Sequence, residues 1–219
     1  MVCIGLFFVA HTCFGNQFRE ARNLEPNLEN GKKIYLACAA CHQPEGWGST
    51  SGVIPQIAGQ HFRVITKQLE DISNGNRDSR QMTPFANEAL LGGAQGIADV
   101  AGYIASLPMT PAPEYGNGNN LSQGGSLYRA GCARLCHGKN GEGHNQKLKP
   151  RIQGQHYTYL VRQMKLIRDG QRKDAHKTMV RKIKRRSDEE LEAMADYLSR
   201  MKPDPELLAP EGWKNPDFR

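Results

Sequence analysis

Apolar residues recur along the chain at spacings of three and four, the period of an amphipathic helix. The clearest stripes fall into two pairs, one in each half of the chain. They are Phe62, Ile65, Leu69 and Ile72 followed by Ile97, Val100, Ala101, Ile104 and Leu107, and then Tyr157, Leu160, Met164 and Ile167 followed by Leu191, Met194, Ala195, Leu198 and Met201. No segment shows the convincing apolar–polar alternation of a half-buried strand. The pattern predicts an all-α protein.

The two halves are also related as an internal repeat. Residues 54–62 (IPQIAGQHF) match residues 149–157 (KPRIQGQHY) at an offset of 95. The same offset joins four further pairs: Cys41 and Cys136, His42 and His137, Gly75 and Gly170, and Arg77 and Arg172. The sequence therefore predicts two tandem domains of one fold, a first domain at residues 28–107 and a second at 121–202. Gly31 and Gly124 predict a close crossing of the first and last helices in each domain.

The remaining segments connect or flank these domains. Residues 1–15 are typical of a secretory signal, although they lack the usual preceding positive charge; a buried N-terminal helix is the alternative. Residues 16–27 form an N-terminal lead, and residues 108–120 a linker that prolines stiffen and a Gly/Asn run loosens. Residues 203–219 form a proline-punctuated tail, either disordered or an arm that lies along a partner. Loss of residues 1–15 would leave four of the six cysteines.

The first two of these cysteines form a haem-attachment motif. Cys38 and Cys41 are separated by two residues and followed directly by His42, the pattern of a c-type haem site. Two thiols one helical turn apart can each add to a porphyrin vinyl group, and the next residue then places an imidazole under the iron. A zinc half-site or a thioredoxin-like redox pair would need further ligands or a βαβ context, and neither is visible.

The second pair departs from that pattern. Cys132 and Cys136 have three residues between them, and His137 follows. Residues four apart still share a helix face, so both thiols could reach one porphyrin edge. The extra residue could leave one thioether unmade, and the alternative is a degenerate domain with idle thiols or a disulfide. We predict two covalently bound c-type haems, one at each motif.

Each haem iron needs a sixth ligand or an open face. Met82 lies 40 residues after His42, and Met179 lies 42 residues after His137, each between helices. A thioether raises the reduction potential and closes the iron to small molecules. In the second domain, His176 is the alternative to Met179 as the sixth ligand.

Four polar residues recur in both halves near these motifs. We expect His61 and His156 either to approach a haem edge or to have a structural role. Arg77 and Arg172 are candidates for pairing with haem carboxylates, with solvated surface as the alternative.

Charge is unevenly distributed between the domains. The chain carries a formal charge of +7, yet residues 28–111 hold 6 Lys/Arg against 7 Asp/Glu, whereas residues 121–203 hold 19 against 8. The densest run is residues 181–186 (RKIKRR). Such a surface predicts an acidic redox partner that docks on the basic C-terminal half. Alternatives are a solvated face, compensation of haem carboxylates, or association with anionic lipid. The haem motifs and expected export disfavour nucleic acid.

Taken together, residues 28 to 203 resemble the cytochrome c4-type dihaem cytochromes c. The resemblance rests on the two CxxCH-type motifs, the GQH-aromatic helices and the downstream methionines. It implies two cytochrome c domains facing each other about a pseudo-twofold axis. It also implies thioether bonds at Cys38, Cys41, Cys132 and Cys136, and axial pairs of His42 with Met82 and His137 with Met179. The CxxxCH motif and the longer loop to Met179 depart from the family pattern.

The resemblance implies a periplasmic carrier that passes electrons between a quinol-oxidising membrane complex and a terminal oxidase or reductase. Such a carrier is not an enzyme, because its irons change charge without binding substrate. The alternatives are a dihaem enzyme of the thiosulfate dehydrogenase or peroxidase kind, with an open or exchangeable second haem, and a haem subunit of a larger respiratory complex.

Overall fold

The computed structural model describes residues 16–218, and the predicted signal segment lies outside them. Across the described range the regular structure is helical, with only isolated β-bridges, so the all-α prediction is confirmed. The α-helices are α1 (Gln17–Ala21), α2 (Leu28–His42), α3 (Phe62–Ser73), α4 (Gly93–Ser106), α5 (Leu121–Tyr128), α6 (Tyr157–Arg168), α7 (Lys177–Ile183) and α8 (Asp188–Ser199). A π-helix, Arg129–His137, continues α5, and short 3₁₀-helices cover Pro205–Leu207 and Pro216–Phe218.

The first and last helices of each domain cross at a glycine. A Cβ on Gly31 of α2 would lie 2.1 Å from the carbonyl oxygen of Asp99 on α4. A Cβ on Gly124 of α5 would lie 2.0 Å from the carbonyl oxygen of Ala193 on α8. Only glycine permits such an approach, so the predicted close crossings are confirmed.

A separate apolar core fills each domain. Tyr35 and Tyr128, one on the first helix of each domain, are both fully buried. The helical stripes predicted from the sequence supply most of the remaining core. In the first domain, Phe18 and Ala21 of α1 are also buried in that core, so the N-terminal lead is part of the domain's packing.

The C-terminal tail returns to the first domain. Trp213 packs against Trp47 with ring centroids 5.8 Å apart, and Phe218 meets Tyr35 edge-on at 5.9 Å. Asn215 donates a hydrogen bond to the Pro44 carbonyl at 2.6 Å. The tail is therefore neither of the two expected forms, because it is ordered and lies along this chain's own first domain.

The linker is held at both ends. Met109 forms a bridge with the tail, since its N–H donates to Leu207 at 2.7 Å and its carbonyl accepts from Ala209 at 2.9 Å. The Gly/Asn run, predicted to be loose, is fixed because the Asp196 carboxylate accepts hydrogen bonds from the N–H groups of Gly116 and Gly118.

Reciprocal hydrogen bonds join the two domains about a pseudo-twofold axis. The Gln60 amide donates to the Arg151 carbonyl at 2.9 Å, and the Gln155 amide donates to the Gln56 carbonyl at 2.7 Å. The backbone N–H groups of Arg151 and Gln56 donate back to the same two glutamine side chains, at 2.9 and 3.0 Å. All four residues are related by the offset of 95, so the repeat is explained in part by a shared interface.

Candidate haem-attachment sites

A backbone carbonyl fixes each candidate proximal histidine. His42 and His137 are buried, and their Nδ1 atoms lie 3.0 Å from the carbonyl oxygens of Pro55 and Pro150 respectively. A carbonyl only accepts, so Nδ1 carries the proton and Nε2 keeps its lone pair. Burial lowers the pKa of both histidines. Each imidazole is therefore neutral and has one nitrogen available to bind iron.

The thiols of the first motif lie on one face of α2. Cys41 is exposed and Cys38 is half-buried, three residues earlier on the helix. Burial raises the pKa of Cys38 to about 11, so its thiol is protonated near neutral pH. The helix ends at His42, because Gln43 has a positive φ of 67° and an extended ψ of 160°.

The thiols of the second motif lie on the π-helix. Cys132 and Cys136 are both half-buried and free, so the disulfide alternative is not what the structure contains. Burial is also the main cause that raises the pKa of Cys132, whereas the positive charges of Arg186 and Lys182 act to lower it. Those two cations line a small pocket beside Cys132, together with Gly131. Sequence reasoning found the basic run but not its position next to a candidate attachment cysteine.

The two candidate methionine ligands lie in different local structures. Met82 is half-buried in a run of turns, where its N–H donates to the Ser79 carbonyl and its own carbonyl accepts from Ala86. Met179 is half-buried and lies on α7, not between helices as the sequence predicted, and it packs against the core of the second domain. His176 is exposed and caps α7, because its Nδ1 accepts a hydrogen bond from the Thr178 N–H at 3.2 Å. That bond gives His176 a structural role at the start of α7.

His61 and His156 make bonds between the domains. Nε2 of His61 lies 2.8 Å from the Glu142 carbonyl, and Nε2 of His156 lies 2.7 Å from the Trp47 carbonyl. Glu142 and Trp47 are also related by the offset of 95. Of the two roles expected for these histidines, the geometry supports the structural one. The sequence did carry a signal for this role, because the whole GQH motif recurs in both domains and lies outside the cysteine–histidine attachment motifs.

The two candidate arginines differ in surroundings. Arg172 donates to Asp174 at 2.6 Å and to Gln163 at 3.1 Å. Arg77 is buried, and it donates to the Tyr159 hydroxyl while its Nη1 has no protein partner among the described residues. The solvated-surface alternative is therefore wrong for Arg77.

These residues fit covalently bound haem in both domains. Each domain has two free thiols on one helix, followed by a buried neutral histidine with Nε2 available. Within residues 16–218, no group of three or more His, Cys, Asp or Glu side chains could hold a metal ion by itself. The zinc alternative thus has no ligand set in the described structure.

Comparisons with known proteins agree with this arrangement. The family model described as cytochrome c matches residues 28–108 and again residues 121–202. Cytochrome c4 of Thiocapsa roseopersicina is 36% identical over 173 residues, which is 74% of this chain and 85% of that protein. The thiosulfate dehydrogenase electron acceptor of Stutzerimonas stutzeri strain A1501 is 29% identical over 81% of this chain and 88% of its own length.

A solved structure extends the agreement to the fold. Reduced recombinant cytochrome c4 from Pseudomonas stutzeri superposes with a TM-score of 0.71 at 26% identity, covering 81% of this chain and all of that one. Two cytochrome c domains in tandem therefore define the class of protein. The chain belongs to the cytochrome c family, as a dihaem protein of the cytochrome c4 type. It carries two covalently bound haem c groups and transfers electrons with redox partners.

Across residues 16–218, no helix combines the length and apolar character needed to cross a membrane.

Proposed function

We propose that this protein is a periplasmic relay that carries electrons between respiratory complexes by outer-sphere transfer. The observation that carries the proposal is the duplicated histidine geometry, in which two buried imidazoles present one free Nε2 each. Haem supplies an iron that changes oxidation state by one electron. The protein supplies attachment, ligands that set the potential, and a surface for docking. The two relay domains are residues 28–107 and 121–202, and export through residues 1–15 accounts for the periplasmic location.

In this proposal the chain holds each haem with four side chains. Cys38 and Cys41 form the thioethers of the first domain, and Cys132 and Cys136 form those of the second. The axial pairs are His42 with Met82 and His137 with Met179. Met179 is supported by its packing against the second core, whereas His176 is exposed and caps α7.

The basic surface of the second domain is the proposed docking site for an acidic redox partner. Arg181, Lys182, Lys184 and Arg185 are exposed, and none has an acidic side chain within 4 Å in the described part of the chain. The aliphatic Cδ of Lys182 lies 3.9 Å from the position of a Cβ on Gly131, so the basic run packs beside the attachment helix. On that helix Leu135 is 83% exposed. An apolar contact near basic side chains suits brief, salt-sensitive docking at the haem edge.

Charge reversal tests the docking site. We expect the pair Lys182→Glu and Arg185→Glu to slow oxidation of the reduced protein by hexacyanoferrate(III), an anion, about tenfold at low salt. Oxidation by the tris(phenanthroline)cobalt(III) cation should not slow. The matched control is Lys33→Glu with Arg80→Glu, which makes the same change of charge on exposed residues of the first domain. Equal slowing in both double variants would contradict docking at the second domain.

Carbon monoxide separates the carrier from the enzyme alternative. An iron with histidine and methionine ligands has no open position, so the reduced protein should bind carbon monoxide only slowly. Met82→Ala and Met179→Ala should each open one iron and produce rapid binding at one haem. Rapid binding at one haem of the unmodified protein would instead favour a dihaem enzyme. The relative named as an electron acceptor of thiosulfate dehydrogenase supports the carrier.

A further inference from the structure

The second attachment segment is longer than the first between equivalent anchors. In the first domain the Tyr35 hydroxyl donates to the Gln43 carbonyl at 2.7 Å, and seven positions separate Tyr35 from His42. In the second domain the Tyr128 hydroxyl donates to the Gly138 carbonyl at 2.5 Å, and nine positions separate Tyr128 from His137. Two additional residues therefore lie between anchors that make the same bond.

The residues after each histidine are also held alike. The His42 carbonyl accepts a hydrogen bond from Gly48 at 3.0 Å, and the His137 carbonyl accepts one from Gly143 at 2.8 Å. Both histidines bond the carbonyl of the equivalent proline at 3.0 Å. Neither end of the second segment is displaced from its anchors, so the additional residues are accommodated inside it.

The two additional residues lie at separate places. Tyr35 precedes Cys38 by three positions, whereas Tyr128 precedes Cys132 by four. The cysteines themselves are three positions apart in the first domain and four apart in the second. One residue has thus been added before the first cysteine and another between the cysteines.

The π-helix explains how both additions fit. Two turns of an α-helix take about seven residues, the separation of Tyr35 and His42. In a π-helix each N–H donates to the carbonyl five residues earlier, rather than four as in an α-helix, so two turns of a π-helix take about nine residues. Arg129–His137 is π-helical throughout, and the Gly138 N–H continues the pattern to the Ala133 carbonyl at 2.9 Å.

We infer that the two additions are a compensated pair that preserves haem attachment in the second domain. Each additional residue widens one helical turn. Together the two place both thiols and His137 at the same angular positions around the helix axis as the equivalent residues have on α2. Gly131 and Leu135 mark the additional positions: a Cβ on Gly131 would have no neighbour closer than 3.9 Å, and Leu135 is largely exposed. The inference rests on the proposed roles of Cys132, Cys136 and His137.

Removing one addition should be worse than removing both. After deletion of Leu135 alone, the cysteines regain the CxxCH spacing, but Cys132 remains four positions from Tyr128. One uncompensated residue rotates an α-helix by about 100°. Either the Tyr128–Gly138 bond or the His137–Pro150 bond must then break. Deletion of Gly131 alone restores the spacing of Tyr128 and Cys132, but the two cysteines remain four positions apart.

The test compares three variants of the haem-loaded protein: deletion of Gly131, deletion of Leu135, and deletion of both. We expect each single deletion to lower the folding equilibrium constant of the second domain at least about tenfold, as loss of a buried hydrogen bond does. The double deletion should recover most of that loss. Hydrogen exchange of second-domain peptides measures the folding constant, and peptide mass counts the thioethers.

The reciprocal experiment uses the first domain. Insertion of Gly after Ala37, or of Leu after Ala40, should destabilise the first domain, and both together should be tolerated better than either. If one deletion or insertion alone is as well tolerated as the pair, the additions are independent and the inference is wrong. Intact mass showing one haem in the unmodified protein would remove the second centre of the proposed relay. The exchange comparison would still decide whether the additions compensate each other.

Discussion

The two domains agree most closely where each one holds its histidine and contacts the other domain. His42 and His137 bond equivalent proline carbonyls at the same distance of 3.0 Å. Gln60 and Gln155 exchange equivalent bonds across the pseudo-twofold axis. An interface built from one motif used twice constrains both copies, because a change in either copy affects bonds on both sides. Both the histidine geometry and the domain contact are therefore the same in the two domains.

The domains differ away from that shared surface. The first receives α1 and the tail, and it is nearly neutral; the second has neither addition and carries most of the basic side chains. Concentrated positive charge destabilises a compact domain through self-repulsion. The first domain is therefore reinforced by α1 and the tail, and we expect the second domain, which carries the basic surface, to be the less stable of the two.

The helix crossings give the largest expected effect, and they should respond alike in the two domains. Gly31→Ala and Gly124→Ala each place a methyl group about 2 Å from a backbone carbonyl oxygen. Backbone oxygens cannot rotate away, so we expect each change to destabilise its own domain by about 3 kcal/mol. Denaturant unfolding with domain-resolved hydrogen exchange would measure this. Gly131→Ala, whose Cβ would have no neighbour closer than 3.9 Å and whose backbone φ is not positive, controls for the loss of glycine itself. A much smaller effect in one domain would break the equivalence of the crossings.

The tail should stabilise one domain only. Trp213→Ala removes the ring that packs on Trp47, and we expect a loss of about 2 kcal/mol, less than for a fully buried tryptophan because Trp213 is half-buried. Faster hydrogen exchange should be confined to the first domain. Phe85→Ala, an exposed aromatic residue of the same domain, should have little effect. Equal loosening of the second domain would show that the tail stabilises the interface rather than the first domain.

Much of this architecture could be predicted from the sequence because it depends on local period and on a repeat. The helical stripes predicted α3, α4, α6 and α8, and the offset of 95 predicted two copies of one fold. Ser187 and Glu190 form a capping box at the start of α8, a motif that is visible in the sequence. Glycine spacing predicted the crossings, since close approach requires a residue without a side chain.

Other features could not be predicted because they depend on contacts distant in sequence. The Gly/Asn content of the linker indicates looseness, yet Asp196 holds it from 80 residues away. The tail lies against Pro44 and Trp47, with which it shares no pattern. The π-helix is determined by fixed anchors at both ends of an overlong segment, and propensity alone cannot reveal such a constraint.

The interface glutamines should differ in cost although their bonds are equivalent. Gln155 and Gln56 are both buried, whereas Gln60 and Arg151 are half-exposed. When a side chain that bonds buried backbone groups is removed, those groups lose their partner and water cannot replace it. We therefore expect the unfolding free energy to fall by about 2 kcal/mol for Gln155→Ala and by about 1 kcal/mol for Gln60→Ala. Urea unfolding measures both values. The double variant is the control for additivity, and a larger cost at Gln60 would contradict the role assigned to solvent access.

The smallest effect we expect is a pH dependence at His61. Burial is the main cause that lowers its pKa below 6.5, and the positive charges of Arg151 and His144 lower it further, against the favourable bond to the Glu142 carbonyl. Above pH 6.5 the ring is neutral in both the folded and unfolded states, and the interface has its full stability. As the pH falls through 6.5 the unfolded chain takes up the proton first, so stability decreases until the folded pKa is also passed. His61→Gln has no ring to titrate, and its unfolding free energy should therefore change less between pH 7.5 and 5 than that of the unmodified protein. An unchanged slope in that variant would assign the pH dependence to another group and make the two sides of the interface equivalent after all.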